Sequence, residues 1–185
     1  MVKQFISFFV LGMVLCGCLH AKTPVQFKTR LTDNWVFLRQ DIGNIWEAVR
    51  PYKAGNPEEF PLWQEVTLPH CFNAQDAVDP DLNYYQGPGW YKTLLSIDNP
   101  HKDGRIILDF DGAGPKTEVY VYMTKVGSHV GGYDSWNVDI TDAVNEFLKS
   151  DAASRFEGKV PLSIRCDNSR DAEMIPSDLS DFTIY

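Results

Sequence analysis

The sequence predicts an all-β fold, a β-sandwich of the jelly-roll kind with one short connector helix. Three observations carry that expectation. Apolar and polar residues alternate with period two along most of the chain. Turn-forming clusters such as "DNPHKDG", "DGAGP" and "VGSHVGG" separate the alternating runs. Only one segment carries a helical period. Many short strands with turn-rich links bury their apolar faces by packing as two sheets.

The elements follow in order. "NWVFLRQ" and "WQEVTLP" read as short strands. Between them "YKAGNPEEFPLW" reads as a loop, because Pro57 and Pro61 lack amide donors and Gly55–Asn56 favours a turn. "GWYKTLLSI" is a strand with Tyr91, Thr93, Leu95 and Ile97 on one face. In "RIILDFDG" the inward face is Ile106, Leu108 and Phe110. In "TEVYVYM" it is Val119, Val121 and Met123. "SWNVDI" contributes Trp136, Val138 and Ile140, and "VPLSIRCDN" contributes Leu162, Ile164 and Cys166. "DITDAVNEFLKS" is the helix. It is capped by Thr141 or Asp142, and Val144, Phe147 and Leu148 fall on its inner face.

Bulk properties bound the function. The chain has 185 residues, enough for one domain with appendages, and is 44% hydrophobic and 13% aromatic. Its net charge of −8, with no Lys/Arg cluster, argues against a nucleic-acid partner. The first residues, "MVKQFISFFVLGMVLCGCLHAK", have one early cation and then an apolar run too short to span a bilayer comfortably. That is the shape of an export signal. Within it, "LCGC" resembles a bacterial lipobox, which implies cleavage before Cys18 and a lipid on that cysteine. The alternative is ordinary cleavage after Ala21. The expected organisation is a signal peptide at 1–17, a linker at 18–33 and one domain at 34–185. Localisation is expected to be export to the outer membrane as a lipoprotein, facing the periplasm. Cys71 and Cys166 remain in the mature chain, and both are expected as unpaired thiols.

Six phrases then occur in a telling order: "VTLPHCFNAQD", "YYQGPGWYK", "LDFDGAGPKTEVYV", "VGSHVGGYDSWNVDIT", "IRCDNS" and "PSDLSDFTIY". Together they resemble the N-terminal sugar-binding domain of family 2 glycoside hydrolases, the group of β-galactosidases, β-mannosidases and β-glucuronidases. The resemblance runs from about Trp35 to the last residue. It implies a galactose-binding-like jelly roll, followed in such enzymes by an immunoglobulin-like sandwich and a (β/α)₈ barrel. It also implies that "DFTIY" is continued by a further stretch of the same domain, so the sequence is expected to stop before the domain's last strand. One departure stands out. Where the family has an Asn-Gly turn, this chain has Tyr122-Met123. Asn and Gly tolerate the positive φ of a type I′ turn and Tyr and Met do not, so strain or a rearranged turn is expected there.

Glycoside hydrolysis needs two carboxyl groups flanking the scissile bond. The resemblance implies that both lie on the barrel, which takes roughly 250 residues. The glutamates at hand (Glu47, Glu65, Glu118, Glu146, Glu157 and Glu173) read as solvent-facing or loop residues. The chain alone is therefore expected to hydrolyse nothing and to need no cofactor or metal. The resemblance implies that loops of this domain help hold a terminal β-linked sugar against the barrel. The polar loop "NAQDAVDPDLNYYQG" offers Asn73, Asp76, Asn83 and Tyr85, and the tail offers Asp178 and Asp181. The candidate substrate-binding set is Asp76, Asn83, Tyr85 and Asp181, weighed against a solvated loop held by Asx-turns. A calcium site in "DAVDPDLN" lacks the glycine and terminal glutamate of an EF-hand loop. His70, His101 and His129 lack metal-ligand spacing. His70 is expected to bond backbone at a turn and His129 to fix a bend beside Gly131 and Gly132. Trp90 and Tyr91 read as core. Two rival readings remain: a free-standing carbohydrate-binding lipoprotein, and an interaction module with no sugar affinity.

Overall fold

The structure, a computed structural model, describes residues 27–52, 63–98, 103–169 and 171, with the backbone of Thr183 and Ile184. It divides into two compact units, Met1–Arg30 and Leu31–Tyr185. The second unit is an all-β antiparallel sandwich. Its largest sheet has six strands in the order β2-β1-β4-β9-β6-β7. These are β1 (Trp35–Leu38), β2 (Gln64–Val66), β4 (Pro88–Leu95), β6 (Lys116–Val121), β7 (Thr124–Val130) and β9 (Val160–Asp167). Among the described residues there are also two small sheets. One pairs β5 (Ile107–Phe110) with β8 (Trp136–Asp139), and the other pairs β3 (His70–Cys71) with β10 (Thr183–Ile184). The segment 53–62, read from sequence as a loop, lies outside the described residues.

The alternation read from sequence sets the inner face. Tyr91 and Leu95 of β4, Val119 and Val121 of β6, and Leu162, Ile164 and Cys166 of β9 share one buried cluster with Phe110 of β5. Burying such side chains stabilises by about 1.5–3 kcal/mol each, so this cluster drives the fold. A second cluster, Val36, Leu38, Ala48, Trp63 and Trp90, covers the opposite face of β1 and β4. This explains why all four residues of β1 are buried, where a one-sided strand would alternate. Cys166 sits in the core and Cys71 is partly exposed, and neither is in a disulfide. Burial pushes the Cys166 thiol up to about 12, so it behaves as a small apolar group.

Three local readings are corrected. The helix α2 (Thr141–Lys149) is present, and Val144 and Phe147 are buried, but Leu148 is exposed. Leu148 lies about 100° round the axis from Phe147, at the edge of the apolar stripe. Its start is not capped by Thr141 or Asp142. Asp139 supplies the acceptor, with Oδ1 taking the Thr141 amide at 2.9 Å and the Thr141 hydroxyl at 2.6 Å. It is also not the only helix. A short α1 (Ile45–Val49) follows Asn44, whose Oδ1 accepts from the Trp46 amide at 2.9 Å. A 3₁₀ helix spans Asp151–Phe156. Both are too short for a helical period to emerge in a sequence window.

The β6–β7 hairpin carries the expected strain. Tyr122 adopts φ 53°, a left-handed conformation unusual for an aromatic residue. It is held there by its ring, which lies 5.0 Å from Phe147 and 5.9 Å from Phe156 between centroids, and by its amide, which donates to the Pro161 carbonyl at 2.8 Å. The register is also rearranged. Val119 pairs with Gly127 but Tyr120 pairs with Lys125, so Val126 is the extra residue of a β-bulge. Met123, expected on the inner face, is instead exposed in the turn.

Asn34 (φ 63°) and Glu157 also take positive φ; asparagine tolerates it, glutamate does not. Glu157 ends the 3₁₀ helix at φ 55° with an exposed side chain. Left-handed φ costs an L-residue about 1–2 kcal/mol, offset by about 0.4–1 kcal/mol of extra freedom that glycine gains when unfolded. Glu157→Gly is therefore expected to stabilise by about 0.5–1 kcal/mol, and Gly158→Ala, at φ 73°, to destabilise by about 1 kcal/mol. Urea midpoints of the two variants check both signs.

Candidate functional site

The polar loop from Asn73 to Gly87 connects β3 to β4 at one end of the large sheet. Its first half is wound. The amide of Ala77 donates to the Asn73 carbonyl at 3.0 Å, and that of Asp79 to the Gln75 carbonyl at 3.0 Å. At the tip, Asp79 Oδ1 accepts from the Asp81 amide at 3.0 Å, an Asx-turn.

The base of this loop is a buried polar network. The Asp76 carboxylate is 1% exposed. It accepts from Arg39 Nη1 at 2.8 and 2.9 Å, from Asn73 Nδ2 at 3.0 Å and from the Tyr85 amide at 3.0 Å. Burial alone would raise its pKa. The bonds from Arg39, the Tyr85 amide and Asn73 outweigh that and hold the carboxyl below its ordinary value. Asn168, just beyond β9, closes the network from the far side. Its Nδ2 donates to Asn73 Oδ1 at 2.8 Å and to the Tyr85 carbonyl at 3.0 Å, while its Oδ1 accepts from the Gly87 amide at 2.7 Å. Gly87 has φ 151°, and a Cβ there would meet the Tyr85 hydroxyl at 3.0 Å, so the chain passes close against its own tyrosine.

The candidate residues thus separate. Asp76 is not a residue that meets a ligand from solvent, because its oxygens are taken up by the fold. Tyr85 is partly buried, with its hydroxyl donating to the Pro88 carbonyl at 2.7 Å and its ring under the Arg39 guanidinium at 5.2 Å. Burial, with the nearby Asp167 charge, raises its pKa. Asn83 is exposed at the loop tip. Asp178, Asp181 and Cys18 lie outside the described residues. Arg39 and Asn168 were not singled out in the sequence, and no local signal marks them, since their partners lie tens of residues away in the chain.

The remaining candidates resolve into structure. His70 Nδ1 pairs with the Tyr91 hydroxyl at 2.9 Å, a side-chain partner where the sequence reading expected backbone. Burial lowers the His70 pKa. His129 spans its bend as expected, with Nε2 lying 3.2 Å from Asp134 Oδ1 and its ring stacked on Trp136 at 4.8 Å. Trp90 and Tyr91 are core. Glu47 pairs with Arg50 and Glu118 with Lys125, while Glu65, Glu146 and Glu157 face solvent. Glu173 and His101 lie outside the described residues.

An antiparallel all-β sandwich with a clamped polar loop at one end is the class that this geometry defines. No protein-family model matches the chain. Comparison with individual proteins places it more closely. A β-glucuronidase of Bacteroides fragilis is 31% identical over 122 residues, 66% of this chain and 16% of that protein. The crystal structure of Parabacteroides merdae β-glucuronidase with glycerol in its active site is 67% identical, with a TM-score of 0.77 over 88% of this chain and 22% of that one. Bacteroides uniformis β-glucuronidase 3 is 64% identical, with a TM-score of 0.77 over 86% of this chain and 21% of that one. The chain belongs, by homology to one part of them, with the β-glucuronidases and β-galactosidases of glycoside hydrolase family 2. It spans between a sixth and a quarter of the length of these relatives.

The Asp76 clamp sets a pH dependence. Its folded pKa is depressed, so its contribution to stability is fully present above the unfolded value of about 3.9 and is lost as pH falls through the folded value. Asp76→Asn is expected to cost about 2–3 kcal/mol at neutral pH, since it removes the charge facing Arg39 and puts an N–H donor where one of two accepting oxygens stood. The gap between wild type and variant should narrow below about pH 4. Urea melts at pH 7 and pH 3 measure both.

Proposed function

We propose that this chain is the sugar-contacting sandwich domain of a β-glucuronidase-type glycosidase. The loop Asn73–Gly87 and the tail near Asp181 then touch the terminal sugar, and the bond-cleaving carboxyl pair belongs to the larger remainder that its relatives possess. One observation supports this above the others. Strand β10 (Thr183–Ile184), which begins two residues after Asp181, pairs with β3, which leads within two residues into Asn73. Two sequence segments more than a hundred residues apart, each carrying candidate sugar contacts, are thereby tied to neighbouring strands. A sugar hydroxyl is held by hydrogen bonds to amide and carboxylate groups, and the exposed Asn83 and the acidic tail supply those types.

In this reading the chain itself turns over no aryl glycoside and binds the isolated sugar weakly. The expected result of titrating it with methyl β-D-glucuronide, followed by NMR, is saturable binding that weakens about tenfold in Asn83→Ala and in Asp181→Ala. Absence of binding in the wild type, or release of 4-nitrophenol from a 4-nitrophenyl glucuronide, overturns the reading.

We also propose export with a lipid on Cys18, on the strength of "LCGC" at the end of an apolar run. Radiolabelled fatty acid should enter the wild-type chain in a bacterial host and be lost in Cys18→Ala. Equal labelling would refute the anchor.

A further inference from the structure

His70 is an ionisable side chain that the Asp76 clamp does not use. Its strand, β3, is two residues long and meets β10 at two pairs, Cys71 with Thr183 and His70 with Ile184. So short a ladder holds little by itself. The ring supplies the rest. It is partly buried, 5.0 Å from the Phe37 ring and 5.7 Å from the Tyr91 ring between centroids. Nδ1 lies 2.9 Å from the hydroxyl of Tyr91, a residue shut inside the core at 0% exposure.

The pair suits one protonation state. With the ring neutral, Nδ1 accepts from the Tyr91 hydroxyl. A proton on Nδ1 makes it a donor, and the hydroxyl hydrogen must then turn to the His70 carbonyl, 3.5 Å away and at the outer limit of a hydrogen bond. Among the described residues the imidazolium meets no counter-charge. Phe37 of β1 and the Thr183 and Ile184 of β10 do not ionise, and burial raises the pKa of Tyr91 of β4 well above its ordinary value. The Cys71 thiol is the other ionisable group on β3. Arg39, beyond β1, is bonded to Asp76. Lys92 of β4 bonds the Glu47 and Arg50 carbonyls and lies over Trp63, on the sheet's other face. Burial alone acts on the His70 pKa, and it lowers it.

Strand β3 leads straight into the loop. Arg39 Nη1 donates to the Phe72 carbonyl at 3.0 Å, and the Ala74 amide donates to the Cys71 carbonyl at 3.3 Å. A His70 ring that leaves its aromatic box therefore shifts the carbonyls on which the loop's first turn hangs.

We propose that His70 is a pH-sensitive latch, seated while neutral and released together with β3 when protonated, which loosens the loop Asn73–Gly87 in mildly acidic solution. The latch stands whether or not that loop meets a sugar. Its folded pKa is lowered, so its contribution is fully present above the ordinary value of 6.5 and is lost as pH falls through the folded value. The Asp76 clamp weakens only below about pH 4, so the two steps separate.

The full chain, with ¹³C in its histidine rings, is titrated by NMR from pH 7.5 to 4.5. Amide exchange, corrected for its intrinsic pH dependence, follows Ala74, Ala77 and Ile164 over the same range. The His70 ring should titrate below 6.5. Protection of Ala74 and Ala77 should fall about tenfold per pH unit below that midpoint while Ile164 holds. His70→Gln keeps an acceptor for Tyr91 and never charges, so its Ala74 and Ala77 protection should stay level. A ring that titrates at or above 6.5, loop protection unmoved through the ring's midpoint, or the same loss in His70→Gln overturns the latch. An equal loss at Ile164 does so too, because the whole fold then opens. Should His70→Gln not fold, the wild type decides: loop protection that starts to fall at the ring's midpoint supports the latch, and separated midpoints sink it.

Discussion

The buried carboxylate of Asp76 is the constraint on which this end of the molecule depends. A carboxylate taken out of water costs several kcal/mol unless its lone pairs are filled. Here they are filled from three directions: a cation on the strand end after β1, an amide side chain at the start of the loop and a backbone amide near the loop's end. Removing any one leaves the others facing an unsatisfied charge. The loop's conformation is thus set by its base, and the exposed tip from Val78 to Asn83 inherits it. Asn168 extends the same logic across the sheet, since its one side chain binds the loop's beginning through Asn73 and its end through Gly87.

That geometry shows why the fold was far more legible in the sequence than the site. Period-two runs mark inner faces directly, and Val119, Val121, Leu162, Ile164 and Cys166 are buried together as their alternation implies. What alternation conceals is a strand buried on both sides. Val36 and Trp90 face a second cluster under α1 and Trp63, and nothing in a two-residue period reveals a cover supplied from elsewhere. The short α1 was readable only from the spacing of Asn44 and Glu47, which fits a capping-box signature.

The site was half legible for a different reason. "NAQDAVDPDLNYYQG" announces a polar loop, but the sequence does not say which of its polar groups face inward. Asp76 and Asn83 are chemically suited to the same sugar hydroxyl. They differ because Arg39, 37 residues upstream of Asp76, reaches one and not the other. Residue type alone ranked them equally, and only tertiary contact separates them. The hairpin at Tyr122 is the converse case. There the local rule, that an aromatic residue resists positive φ, correctly flagged an anomaly, and the structure supplies the compensating aromatic contacts with Phe147 and Phe156.

A buried ion pair is a poor way to gain stability, since well-packed apolar side chains of similar volume often do as well or better. An apolar base would hold the loop against the sheet, but it would leave the loop's rotation about that contact loosely set, because dispersion is not directional. Hydrogen bonds are directional. With Asp76, Asn73 and Asn168 each bonding groups on different segments, any rotation of the loop strains several of these bonds at once. The same network orients Arg39, which donates to both Asp76 oxygens from Nη1 while its side chain stays 40% exposed. The loop and the guanidinium are therefore held by one set of bonds. A substitution that removes the Asp76 carboxylate releases the loop and the guanidinium together.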